Sequence, residues 1–269
     1  MGDALDRLVA IGLLEDADIA LDSAAMELAA ADRVHRDLTV ARGQMDDMAA
    51  RLAARAKNSM AGRRAAAIAG LLAGTEGFNG DNNSYDAPQN ADFLAMLDRR
   101  MGLPISLSIL YVALARRLGW EAAILGVPGH VLVAIGGSGS RVVIDPFNNG
   151  NVVEKAGIAA LVQRALGPQV ALTPDHVQPL SNRAALVRLV SNPASRALRA
   201  GDEARALTLY RRMTLIAPDI SSLWWERSRL ERRAGDISAA RRSLAAMAET
   251  THDPALMERI RAAQEALAR

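Results

Sequence analysis

The side chains in this sequence that could carry chemistry are His130, Asp145, Ser106 and Asn148, with Pro104 beside them. A carboxylate that holds an imidazole fixes its tautomer and makes the ring a usable base. A hydroxyl next to such a base can attack an acyl carbon. These residues punctuate the ends of apolar runs: Pro104 and Ser106 open residues 105–118, His130 follows Pro128-Gly129, and Asp145 and Asn148 follow residues 142–144. Polar groups at the ends of rigid elements are held in place by them, which suits a site.

The elements that must position them read as one helix and three strands. Pro104 suits a first helical position, where its missing N–H would be unpaired anyway. From Ile105 to Leu118 apolar residues fall on every face, so this helix is central. Arg116 and Arg117 favour its C-terminal end and Gly119 stops it. Residues 122–127, 131–135 and 142–144 are short β-prone runs, with the turn signal Gly136-Gly137-Ser138-Gly139 between the last two. If that four-residue loop closes on Ile135 and Ser140, the same register sets His130 opposite Asp145. Their Cβ atoms would then stand roughly 5 Å apart. A slip of one residue would separate them onto opposite faces.

Three segments carry a family resemblance: G-L-P-I-S-L-S-I-L-Y-V-A-L-A-R-R-L-G, then V-P-G-H-V-L-V, then D-P-F-N-N-G. With Gly77-Phe78-Asn79-Gly80 and N-A-D-F-L-A-M-L-D-R-R upstream, residues 77–150 resemble the SirB-type branch of the transglutaminase-like superfamily. That resemblance implies a papain-like α+β fold, with a central helix, a small antiparallel sheet and a Cys-His-Asp triad. It maps the histidine onto His130, the aspartate onto Asp145 and the cysteine onto Pro104. A helix N-terminus would activate a thiol there, but the position holds proline and the chain has no cysteine. Thiol catalysis is excluded.

Ser106 then reads in two ways. It could replace the thiol in a Ser106-His130-Asp145 triad. It lies two residues beyond the lost position, however, a rotation of about 200° on a 3.6-residue helix. Otherwise its hydroxyl bonds a nearby backbone group. Asn148 forms a turn with Asn149 and Gly150 and lines the site beside Pro104. His35, His176 and His252 have no partner in the sequence, and no group has zinc spacing. The polar loop of residues 74–90 lacks the order of acids of a calcium loop. No metal and no cofactor are expected.

Composition bounds the rest. Of 269 residues half are hydrophobic, aromatics are 3%, and the net charge is +2. A core rich in alanine favours closely packed helices. No basic block alternates with aromatics, so nucleic-acid binding is not expected. No run is long enough for a membrane span and the N-terminus lacks a basic leader, so a cytoplasmic location is the expectation.

Residues 1–75 read as a helical N-terminal part: Leu5, Leu8, Val9 and Leu13, then Ile19, Leu21, Ala24 and Leu28, then Met45, Met48, Leu52 and Ala53, then residues 65–72. The core follows at 76–175, including a short helix over 92–100 capped by Asn90 and another over 158–166. A proline-containing loop over 167–182 separates it from a third part at 183–269. There Gly201-Asp202 recurs as Gly235-Asp236, and Met213 as Met247, an offset of 34 residues. That period, with Tyr210 and Pro218, resembles tetratricopeptide repeats, which stack and leave a concave face suited to peptides. Trp224 and Trp225 lie in a repeat helix as candidate partner anchors. The sequence thus points to a pseudo-enzyme that binds a protein or peptide through these repeats. The alternative is an acyl hydrolase or transferase with a serine nucleophile.

Overall fold

The computed structural model describes residues 2–33, 37–56, 59–137 and 139–267. His35 and Ser138 lie outside the described residues. The chain divides into two compact units, Asp16–Leu186 and Met1–Glu15 with Val187–Arg269.

The first unit begins with α2 (Leu21–Ala30), α3 (Thr39–Ala56) and α4 (Ala61–Ala69), preceded in the chain by α1 (Gly2–Leu13) of the other unit. The apolar spacing of the sequence marks each of them. A π-helical turn, Gly70–Thr75, continues α4. A two-residue parallel pair follows, β1 (Asn79–Gly80) on β2 (Met101–Gly102), flanking α5 (Phe93–Arg99). Asp92, not Asn90, caps α5, accepting from the Ala95 N–H at 2.9 Å. Asn90 is buried and serves the loop before it. Its amide donates to the Ser84 carbonyl (2.7 Å) and its Oδ1 accepts from Arg99 (2.7 Å). Arg99 also reaches Asp81 at 3.1 Å, so one cation ties the polar loop to α5.

The centre of this unit is α6 (Pro104–Arg117), buried at every residue from Pro104 to Ala115. Its apolar girdle leaves only the last turn for charge. There Arg117 pairs with Asp22 and Asp46, and Arg116 donates to the Ala122 carbonyl. Against α6 stands an antiparallel sheet of β3 (Ala122–Val127), β4 (His130–Ile135), β5 (Val142–Asp145), β6 (Asn151–Val152) and β7 (Gln178–Pro179), in the order β6-β5-β4-β3-β7. Gly129, at φ +72°, makes the tight turn between β3 and β4.

The β4–β5 register differs from the sequence expectation. Ile135 pairs with Val142 and Val133 with Ile144, so the loop is six residues long rather than four. The slip is two residues, and an even slip keeps every side chain on its face. Next, α7 (Lys155–Leu166) covers the β3–β4 face through Ile158 and Val162.

The second unit contains α1, α9 (Glu203–Ile216), α10 (Ser221–Arg233), α11 (Ile237–Glu249) and α12 (Pro254–Ala266), reached through α8 (Asn182–Arg199). A Cβ on Gly12 of α1 would stand 2.0 Å from the Leu215 carbonyl oxygen, so only glycine lets α1 approach α9. The 34-residue recurrence is structural. Gly201 and Gly235 take φ of +75° and +81°, and Asp202 and Asp236 cap α9 and α11 at 2.9 Å each. Ala206 and Ala240 are both fully buried where helices meet.

Candidate functional site

His130 opens β4 and Asp145 closes β5, on neighbouring strands and the same face. The register makes them diagonal rather than direct partners, and the imidazole spans that gap. Its Nε2 lies 2.9 Å from Asp145 Oδ2. Asp145 also caps the 3-10 turn Pro146–Asn148. Its Oδ1 accepts from the Phe147 N–H (3.0 Å) and its Oδ2 from the Asn148 side-chain amide (2.7 Å). Burial pushes the Asp145 pKa up, but the bond and charge of His130, then the Asn148 and Phe147 donors, outweigh it and hold the group below its usual range. An ionised Asp145 only accepts, so Nε2 carries the proton of this bond.

The ring of Phe147 stands edge-on to His130 (86° between planes, centroids 6.4 Å apart) and to Tyr85 (71°, 5.7 Å). A Cβ on Gly80 would come within 2.5 Å of the Phe147 ring, so β1 admits this aromatic only because residue 80 is glycine. Phe147 and Tyr85 were given no role by sequence reasoning. The only signal was the aromatic inside the D-P-F-N-N-G turn.

His130, Asp145 and Asn148 therefore come together. Ser106 is held elsewhere. It is fully buried, and its hydroxyl faces the carbonyls of Asn90 (2.9 Å) and Leu103 (3.0 Å). Pro104 is the first residue of α6 and buried, and it offers neither a nucleophilic atom nor an N–H. The arrangement can hold a proton at an oriented imidazole and can accept or donate hydrogen bonds there. It contains no thiol. Among the described residues no group of three or more His, Asp or Glu is placed to hold a metal ion.

Trp224 and Trp225 belong to the other unit. The Trp224 indole donates to the Pro218 carbonyl at 2.7 Å, and the Arg259 guanidinium lies 3.9 Å over the Trp225 ring. Both rings pack against Leu244, Met247 and Ile260 and remain half-buried. Trp225 also lines a cleft of about 190 Å³ with Arg229, Arg232 and Leu244.

Residues 39–191 match the family model described as the transglutaminase-like superfamily. A UPF0162 protein of Xylella fastidiosa (strain 9a5c) is 33% identical over 122 residues, which is 43% of this chain and 42% of that protein. A UPF0162 protein of Vibrio cholerae serotype O1 is 34% identical over 107 residues, 39% of each. The matched stretch spans about two fifths of the curated relatives' length. Among solved structures, "Crystal structure of menin reveals the binding site for Mixed Lineage Leukemia (MLL) protein" covers 90% of this chain and 69% of that one. Its identity is 12% and its TM-score 0.37, below the level of a shared fold.

Proposed function

This chain belongs to the transglutaminase-like superfamily, and from that premise we propose that it is a non-catalytic member that acts by binding a protein or peptide, in a regulatory role. One observation carries the reading. The residue we align with the superfamily's thiol is Pro104, at the start of the central helix, and the chain has no cysteine, while the oriented His130–Asp145 pair is kept. An imidazole without a nucleophile can still recognise a ligand. It cannot complete acyl transfer on its own.

The finer assignments are part of the same proposal: the SirB-type branch, a core over residues 76–175 and tetratricopeptide-like repeats over 183–269. The partner binds through the repeats, anchored by Trp224 and Trp225. The recurring glycine, aspartate cap and buried alanine at an offset of 34 support the repeats. The half-buried indoles and the cleft beside Trp225 support the anchor. A cytoplasmic location also belongs to the proposal. Among the described residues no helix is long and apolar enough to cross a membrane.

The serine alternative requires Ser106 to give its proton to His130. Its hydroxyl is turned into two backbone carbonyls instead, which argues against that reading.

The test is Pro104→Cys in the intact chain. With the thiol at a helix N-terminus and beside His130, as the superfamily mapping implies, the variant should alkylate with iodoacetamide at a pH well below that of a free cysteine. Glutamine–amine transfer should stay at background, because donors aimed at an oxyanion are not restored with the thiol. Alkylation with the pH profile of an ordinary thiol would remove Pro104 from the site. Ester or amide turnover by the unsubstituted protein, abolished by Ser106→Ala, would replace this reading with the serine one. Capture of a partner by the intact chain should be lost with Trp225→Ala and kept with Pro104→Cys.

A further inference from the structure

The open edge of the sheet belongs to the Asp16–Leu186 unit, whereas the residues proposed above to bind a partner belong to the other. Strand β6 has β5 on one side, and among the described residues no strand on the other. The Val153 N–H donates to the Val143 carbonyl at 2.8 Å, so alternation along the strand turns the N–H and C=O of Val152 outward. Val152 is 58% exposed. Along this edge runs a groove of about 600 Å³. Ala69, Gly70, Ala73 and Gly74 form one wall, residues 149–152 another, and Asn79 of β1 also lines it. The small-residue wall includes the π-helical turn Gly70–Thr75, in which the Glu76 N–H reaches back five residues to the Leu71 carbonyl at 2.8 Å. Such turns widen a helix and recur at functional sites.

Two buried polar atoms at or beneath this groove have no hydrogen-bond partner. The first is Asn79 Oδ1, whose amide nitrogen is already committed to the Gly77 carbonyl at 3.2 Å. The second is the hydroxyl of Tyr111, a fully buried side chain of α6. That oxygen lies beneath Gly150, 3.0 Å from where a Cβ there would stand, and Tyr111 itself does not line the groove. Burial, then the nearby Asp145 charge, push the Tyr111 phenol well above its ordinary pKa, so it stays a donor. An unpaired buried polar group is costly, so each calls for an explanation. Of these groups, the Asn79 acceptor lines one cleft with the outward strand edge.

We infer that this groove binds an uncharged peptide segment in extended form, as an added strand on β6. Its main chain pairs with Val152, and one of its amide N–H groups donates to Asn79 Oδ1. Strand addition needs an open edge, and Val152 presents one beside the groove. The lining carries no charged side chain, so nothing in it would hold an anion or a cation. A wall of glycine and alanine leaves room for the peptide's own side chains. A second copy of the chain is a poor occupant, because a two-fold contact would set one concave groove against another.

The experiment uses the full chain, labelled with 15N, and a heptapeptide of alternating threonine and valine with acetylated and amidated ends. Saturable shifts of the Val152 and Asn79 signals are expected. N-methylating the peptide amides on one edge should weaken binding at least tenfold. Gly74→Phe should weaken it similarly while the protein stays folded: a Cβ at Gly74 meets nothing within 4 Å and its φ is not positive, so the ring enters the groove without strain. The inference is overturned by the absence of saturation at millimolar peptide, or by N-methylated peptide or Gly74→Phe binding as well as the reference. It is also overturned by a concentration-dependent dimer in sedimentation that Gly74→Phe abolishes, since the edge would then belong to a second copy. The outcome is independent of the repeat unit: Trp225→Ala should leave this binding unchanged.

Discussion

Asp145 in one unit and Glu231 in the other are both buried carboxylates, and they are satisfied in opposite ways. In the sheet unit Asp145, 5% exposed, is held by an imidazole, a side-chain amide and a backbone N–H. In the helical unit Glu231, fully buried, takes Arg227 at 2.9 Å, Arg211 at 3.5 Å and the Ser243 hydroxyl at 2.6 Å. Arg227 continues to Thr214 at 3.0 Å, so the network ties α9, α10 and α11 together. Arginine does not change its charge in the accessible pH range, so the Glu231 network can only hold helices. An imidazole does change charge there, and a carboxylate that orients it fixes the ring for chemistry or recognition. Burial of an acid therefore does not mark a site. The titration range of its partner does.

The largest expected effect follows from breaking the permanent network. Glu231→Ala strips the acceptor of the buried Ser243 hydroxyl, and leaves Arg227 with Thr214 and the Trp224 face. Removing one partner of a buried ion pair costs about 3–5 kcal/mol. Arg227 can still reach water, so the lower end of that range is expected in urea unfolding of the intact protein. The His130 ring signals should not move. If they do, the two carboxylates are not separate in function.

Asp145→Asn should cost less in stability and more in chemistry. The amide keeps an acceptor for the Phe147 N–H, but its nitrogen must face the Asn148 amide or the His130 N–H, donor against donor. A loss of about 1–3 kcal/mol is expected. 15N spectra of His130 should show the fixed Nε2–H tautomer lost. The difference between wild type and variant should also depend on pH. Asp145 is held below its unfolded value, so its contribution is complete above the ordinary carboxylate range, near pH 4, and is lost as pH falls through the folded value. The two proteins should converge in stability in acid. A gap that stays constant from pH 7 to pH 3 would show that the Asp145 charge contributes nothing.

The same contrast explains which parts could be read from the sequence. An all-round apolar run fixed α6 as central, and a period of 34 located the caps at Asp202 and Asp236, because both are local patterns. The His130–Asp145 pair survived a wrong register. The glycine-rich signal marked where the chain turns but not that six residues lie between Ile135 and Val142. An error of two left both side chains on one face. Asn90 looked like a cap because its type suits one, yet Arg99 and the Ser84 carbonyl claim it through the fold. The Val152 edge and the Asn79 acceptor had no signature, since residues far apart in the chain make that groove.

The smallest effect concerns Ser106, whose type and place in the chain match a nucleophile but whose surroundings do not. A Cβ on Gly102 would lie 2.6 Å from the Ser106 hydroxyl, so a glycine opens the space this side chain fills. Its proton serves the carbonyls of Asn90 and Leu103, one at a time. Neither carbonyl depends on it. Asn90 also accepts from the Leu103 N–H at 3.1 Å, and Leu103 from the Leu107 N–H at 3.1 Å. Ser106→Ala therefore orphans nothing and should cost about 0.5–1.5 kcal/mol, the net value of one ordinary hydrogen bond. That loss is readable as a small drop in Tm, with the His130 titration unchanged. A larger loss would mean that the hydroxyl anchors the loop before α6 more firmly than its two contacts imply. A shift in the His130 titration would couple Ser106 to the imidazole, restore the serine as a candidate nucleophile, and move Asp145 from recognition to catalysis.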